Sequence, residues 1–201
     1  MTTEARVDVA VLRDEIRTTY TEVSTEPEQE FIFPTGRAWA QELGYPEPEL
    51  ARVPDATAES FAGVANHWLL GRVAPGAVVL DLGCGAGTDL LIAGQMAGPA
   101  GRVIGVDMTS SMLARAKASA AEMGLSNVEL HESLIETLPL EDASVDVVIS
   151  NGVIDLVPDK DAVFDEIDRV LRPGGRVQLA DVIIHTEVSE DARERIDLWT
   201  G

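Results

Sequence analysis

The chain is poor in cysteine and in positive charge, and each shortage excludes something. A single cysteine, Cys84, stands among 201 residues. No internal disulfide can close, and no cysteine cage for a metal can form. The histidines His67, His131 and His185 are scattered without ligand spacing, so no metal site is expected. Lysine and arginine number 15 against 35 aspartates and glutamates, a formal net charge of −20. Such a chain repels phosphate backbones, so nucleic acid is not an expected partner. The acidity reads as solubility rather than as a signal for a basic partner. No uninterrupted apolar run approaches the ~20 residues that span a bilayer. The N-terminus lacks the basic-then-apolar order of a secretory leader, and a cytoplasmic location is the expectation. With 45% apolar residues over this length, one sizeable domain with a real core is expected.

What is present is concentrated in Val78-Val79-Leu80-Asp81-Leu82-Gly83-Cys84-Gly85-Ala86-Gly87-Thr88-Asp89. An apolar run meets an acid, passes through alternate glycines and enters an apolar-periodic segment. That reads as a buried strand, a tight turn and a helix start, with Cys84 a small filler between glycines. Glycine adopts backbone angles closed to other residues and lets a ligand approach the main chain. A turn of this kind at the carboxyl end of a strand is where open α/β sheets bind nucleotide-like cofactors. A phosphate-binding loop would end in Gly-Lys-Ser/Thr, which is absent. A dinucleotide loop would place glycine where Thr88 stands. The remaining pattern, Asp-x-Gly-x-Gly-x-Gly opened by Asp81, suits a cofactor with an amino acid end and no phosphates. A carboxylate there repels pyrophosphate and favours an ammonium group. The next strand runs into Asp107-Met108-Thr109, an acid placed to accept both hydroxyls of a ribose. The plainer alternative is a glycine turn that merely connects a strand to a helix.

From about Ala77 the pattern alternates between strand and helix. Strands are expected at Val78–Leu82, Val103–Asp107, Val128–His131, Val145–Ser150 and Val177–Ile183. Helices are expected at Thr88–Met96, at Met112–Met123 capped by Thr109 or Ser110, at Asp159–Leu171 stopped by Pro173-Gly174-Gly175, and from Asp191 to Trp199. Short βα connections imply an α/β fold, a doubly wound parallel sheet of order 3-2-1-4-5. Residues 1–72 read as an N-terminal helical cap and 73–201 as the cofactor-binding core. In the cap, Val7 to about Val23 suits an amphipathic helix. The stretch from Ser24 to Ala58 reads as loops plus a short helix around Arg37–Leu43, ended by Gly44-Tyr45-Pro46.

The glycine loop and Asp107 resemble those of class I S-adenosylmethionine-dependent methyltransferases. Further runs narrow the resemblance to the arsenite methyltransferase family: Gly44-Tyr45-Pro46, Val103-Ile104-Gly105-Val106-Asp107-Met108-Thr109, Ile135-Glu136-x-Leu138-Pro139, Ser144 through Asn151, Pro158-Asp159-Lys160 and Arg172-Pro173-Gly174-Gly175. The resemblance covers about Tyr20 to Gly201. It implies S-adenosyl-L-methionine as the cofactor. On that footing Asp81 orients the amino acid end, Gly83, Gly85 and Gly87 admit it, Asp107 binds the ribose and Met108 packs on adenine. Leu134 and Ile135 complete the adenine pocket or serve as core aliphatics. Asn151 faces the methionine portion or the substrate, or simply forms a turn. Asp89 is either a site residue or a first-turn helix acid. Tyr20 and Trp68 are substrate-side candidates, with core packing the alternative for Trp68. No catalytic base is assigned, and one is needed only for a nucleophile that must lose a proton.

The resembled family is understood to hold trivalent arsenic on cysteine thiolates, soft ligands for a soft centre. Here Val64 and Gly152 stand at two of the cysteine positions, and the segment Trp199-Thr200-Gly201 precedes a third. The expected substrate is therefore a small organic molecule rather than thiolate-bound arsenic. Related folds add two strands beyond this point, and their absence would leave strand five an exposed apolar edge. Either the chain is a fragment or a partner, such as a second copy, covers that edge. The alternatives are a non-catalytic cofactor-binding or interaction fragment and an NAD-dependent oxidoreductase.

Overall fold

A computed structural model describes residues 8–26, 29 and 31–185. In chain order the elements are α1 (Val9–Thr25), α2 (Gly36–Glu42), α3 (Glu47–Leu50), α4 (Asp55–Ala58), β1 (Val78–Leu82), α5 (Thr88–Ala97), β2 (Arg102–Asp107), α6 (Ser110–Glu122), β3 (Val128–Glu132), β4 (Val145–Asn151), α7 (Lys160–Val170) and β5 (Leu171–Ala180). Single 3-10 turns form at His67–Leu70 and Ile154–Leu156. The strands make one parallel sheet in the order β3-β2-β1-β4-β5.

Side chains alternate across a strand, and here both faces are covered. Val79, Val103, Val147 and Ile149 pack under α5, α6 and the cap, together with Leu90, Leu91, Ala40 and Leu50. Leu80, Leu82, Ile104 and Val148 pack on the opposite face against Val163, Ile167 and Val170 of α7. That is why the central strands β1, β2 and β4 are mostly apolar along both faces. β1 lies between β2 and β4, so the winding reverses there and a crevice opens at the carboxyl ends of β1 and β4.

Several expectations need correction. Strand five was expected over Val177–Ile183. The chain instead joins the sheet at Leu171, opposite Val145, detours through Pro173-Gly174-Gly175 and rejoins at Arg176, opposite Val147. The turn residues lie inside a bulge rather than before the strand, because β4 offers pairing partners on both sides of the detour. The strand stops at Ala180, where Asp181 turns its carboxylate to the N–H groups of Ile154 and Asp155 at 3.0 and 3.3 Å. Beyond it Val182, Ile183 and Ile184 are exposed. Thr109 occupies the N-cap of α6 but makes no side-chain bond into the helix. The stretch expected to be loops with one short helix also carries α3 and α4. The helix expected at Asp191–Trp199 lies outside the described residues.

The cap is fastened to the core by buried polar contacts. Thr57 of α4 is fully buried, and its hydroxyl bonds the Ala86 carbonyl at 3.0 Å and the Ser119 hydroxyl at 2.8 Å. Thr57→Val keeps the shape but leaves both partners unpaired. It is expected to lower unfolding stability by about 1–3 kcal/mol in a urea titration, with Thr57→Ser retaining most of it.

Candidate cofactor site

The loop after β1 uses its glycines for different reasons. Gly83 has φ +65°, and a Cβ there would lie 2.5 Å from both γ-carbons of Val153. Gly87 has φ +99°, and its Cβ would lie 3.0 Å from the Cβ of Ala116 on α6. At Gly85 an added Cβ would meet only the Met112 sulfur, at 3.9 Å, so this backbone lies open to the cavity. Cys84 is buried, fitting against side-chain-free Gly105. Burial, then the charges of Asp107 and Asp81, pushes its thiol up, so it stays protonated.

Asp107 closes β2 and holds the loop. Its Oδ2 accepts from the Gly85 N–H at 2.9 Å and its Oδ1 from the Thr109 N–H at 2.8 Å. Burial raises its pKa, and these backbone donors pull it back. A carboxylate oxygen accepts more than one bond, so capacity remains for a ligand's hydroxyls. α1 covers the mouth: Arg13 pairs with Glu136 at 2.8 Å, and Arg17 donates to the Met108 carbonyl at 3.5 Å.

Asp81 is 3% exposed, and its Oδ2 has no hydrogen-bond partner. Asp89, in the first turn of α5, is buried and well held. It accepts from Tyr45 Oη at 3.0 Å, Trp68 Nε1 at 2.8 Å and Asn151 Nδ2 at 3.4 Å. His67 Nε2 lies 3.2 Å from it without the angle of a hydrogen bond. Asn151 also accepts from the Val64 N–H at 2.8 Å and donates to Tyr45 Oη at 2.7 Å. Its amide therefore staples the cap segment to the end of β4 while its side lines the cavity.

All nine residues nominated as cofactor contacts, and Tyr20, line one cavity at the carboxyl ends of β1, β2 and β4. Trp68 does not line it. Nominated for the substrate side, it lies behind Asp89 in the apolar core, because its indole N–H finds its partner there. The sequence left Asp89 open between a site residue and a helix acid, and Tyr45 and the Arg13–Glu136 pair went unread. The available signal was an acid opening a helix whose next residues, Leu90-Leu91-Ile92, are all apolar: such a turn is buried, and a buried acid needs donors. Just outside the wall, burial and then Asp181 push Asp155 up to about 7. Among the described residues no cluster of His, Cys, Asp and Glu could hold a metal, and no helix is long and apolar enough to cross a membrane.

A family model described as a methyltransferase domain matches residues 74–200. The chain belongs to that family. An arsenite methyltransferase of Halobacterium salinarum is 44% identical over 167 residues, which is 83% of this chain and 42% of the relative. The solved structure of an arsenic(III) S-adenosylmethionine methyltransferase from Chlamydomonas reinhardtii gives a TM-score of 0.66 at 37% identity, covering 79% of this chain and 53% of that one. A S-adenosylmethionine-dependent methyltransferase from Aquifex aeolicus gives a TM-score of 0.50 at 25% identity, covering 70% of this chain and 69% of that one. The chain thus spans under half the length of its curated arsenite methyltransferase relative. S-adenosylmethionine is the cofactor that goes with this family and fold, and the residues fit it. An open glycine backbone, a loop-held acid and a buried carboxylate with one unpartnered oxygen face one cavity. This family assignment favours neither the oxidoreductase alternative nor the binding-fragment one.

Gly83→Ala combines a left-handed φ with a clash against Val153. It is expected to cost more than about 2 kcal/mol by thermal unfolding. The double variant with Val153→Ala should regain only the part due to the clash, leaving the backbone strain.

Proposed function

We propose that this chain binds S-adenosylmethionine in the cavity and, as a methyltransferase, passes its methyl group to a small organic molecule. The observation that carries the reading is the convergence of a buried acid, Asp81, and a half-buried one, Asp107, at the ends of adjacent parallel strands, on either side of open glycine backbone. When bound, the cofactor supplies a methyl group made electrophilic by the sulfonium that carries it. Asp107 offers its remaining lone pairs to the ribose hydroxyls, and Met108, Leu134 and Ile135 form the apolar walls for the base. Asp81 and Asp89 face the amino acid end. α1, tied down by Arg13 and Glu136, keeps water from the reacting atoms. Tyr20 is held protonated by burial and by the charges of Asp155, Asp107 and Asp181, so it serves as a wall and a donor rather than a base.

This reading puts the acceptor against Phe61, Ala62, Val153 and Leu156, apolar residues of the cavity wall. A Cβ added at Gly152 would sit 3.0 Å from Cγ1 of Val64. The two positions where the resembled family places thiols therefore lie together, but here they hold an isopropyl group and a hydrogen. Cys84 is committed to the loop. The 44% identity to an arsenite methyltransferase favours a second reading, arsenic held by thiols from outside this chain. The division into a cap, 1–72, and a core, 73–201, belongs to this proposal, as does a cytoplasmic setting; the charge of −20 supports the absence of a nucleic-acid partner. The exposed Val182, Ile183 and Ile184 beside β5 support self-association through that edge.

Calorimetric titration with S-adenosylhomocysteine is expected to show saturable binding, weakened by roughly 1.5–3 kcal/mol in Asp107→Ala, the range for hydrogen bonds to a charged group. Unchanged affinity would remove Asp107 from the ribose site. With arsenite, S-adenosylmethionine and excess glutathione, mass spectrometry should find at most slow methylarsenical formation. Fast turnover that survives Cys84→Ser would establish arsenic chemistry without protein thiols.

A further inference from the structure

The charges lining the cavity do not balance. Its walls carry the carboxylates of Asp81, Asp89, Asp107 and Glu136 and the single guanidinium of Arg13, which is paired with Glu136 at 2.8 Å. Asp107 receives two backbone N–H groups, and Asp89 receives Tyr45, Trp68 and Asn151. Of these acids Asp81 leaves a buried oxygen without a donor, and the residue is 3% exposed. The groups facing it make matters worse for a bare charge. Asp89 from α5 and Asp107 from β2 both raise its pKa, adding to burial, and the Leu90 N–H is the donor that opposes them. Tyr45 and Cys84, each pushed upward, remain neutral and bring no positive charge.

We propose that Asp81 is the proton-exchanging half of an ammonium site shared with Asp89, so that cofactor binding expels a proton. In the free protein Asp81 carries a proton on its carboxyl. When the ammonium of the cofactor's amino acid end arrives, the carboxyl O–H bond breaks, its proton passes to solvent, and the ammonium, keeping its own protons, donates a hydrogen bond to the freed oxygen. No other bond changes. This rests on the reading that the cavity binds S-adenosylmethionine and adds that binding is coupled to pH through one residue.

The sign follows from linkage. Below the raised pKa of Asp81, each binding event releases one proton, so affinity climbs about tenfold per pH unit; above it, affinity is flat. The free protein loses stability as pH rises from the ordinary carboxylate range through that raised value, and the ligand restores it. Ligand-induced thermal stabilisation should therefore grow over the same interval.

The test is calorimetry on the full chain, at each pH in two buffers of different ionisation enthalpy, from about pH 5 to about pH 8. S-adenosylhomocysteine is compared with 5′-methylthioadenosine, which keeps the nucleoside but lacks the amino acid end. The expected result is release of close to one proton with S-adenosylhomocysteine at the acid end and none with 5′-methylthioadenosine, whose affinity stays flat. Asp81→Asn should flatten the S-adenosylhomocysteine profile and weaken binding at the alkaline end. If that variant does not fold, the comparison of the two ligands on the unaltered chain still decides. S-adenosylhomocysteine binding with no buffer-dependent heat and a flat profile overturns the proposal, as does equal proton release with 5′-methylthioadenosine. Failure to bind S-adenosylhomocysteine at any pH removes the reading of the cavity itself, and this proposal with it.

Discussion

Donors from three separate segments meet on the carboxylate of Asp89. Tyr45 comes from the stretch after α2, Trp68 from the turn before β1, and Asn151 from the end of β4. A buried charge is tolerable only when its lone pairs are filled, so these segments cannot move independently without exposing an uncompensated acid. The position of the cap, the end of β4 and the first turn of α5 are thereby set relative to one another. The glycine loop lies between them, and its shape follows from that joint as much as from its own backbone freedom.

Asp81, Asp89 and Asp107 gather at the carboxyl edge of the sheet. The apolar layers around β1 carry the fold, while at that edge burial raises the pKa of Asp81 and Asp107. Asp107 offsets part of that rise by accepting from the loop it positions. Asp81 receives less from the chain: the Leu90 N–H opposes its raised pKa, and its Oδ2 stays without a partner.

Much of this was legible in the residues, for identifiable reasons. Val78–Leu82 stops where expected because an apolar run bounded by glycine has one way to sit in a buried sheet. Asp107 was legible because an acid ending a second strand falls beside the first loop in any parallel pair. Local signals failed where long-range pairing outweighed them. Pro173-Gly174-Gly175 promised a stop and became a bulge, because β4 supplied partners before and after it. Trp68 stood open between a substrate wall and core packing because large aromatics serve at either place. Its direction depends on Asp89, which is 21 residues away in the chain.

The sequence by itself determined the strand order, the family and the chemical character of the cofactor loop, since periodicity, glycine spacing and acids at strand ends are local quantities. Only the tertiary structure decided which polar atoms remain without partners. Asp81 and Asp89 are both acids near one loop in the sequence, yet folding fills one with donors from distant segments and leaves one oxygen of the other without a donor. Hydrogen-bond satisfaction depends on which side chains meet in space, and no spacing along the chain encodes that for contacts made across the cap, the sheet and a helix.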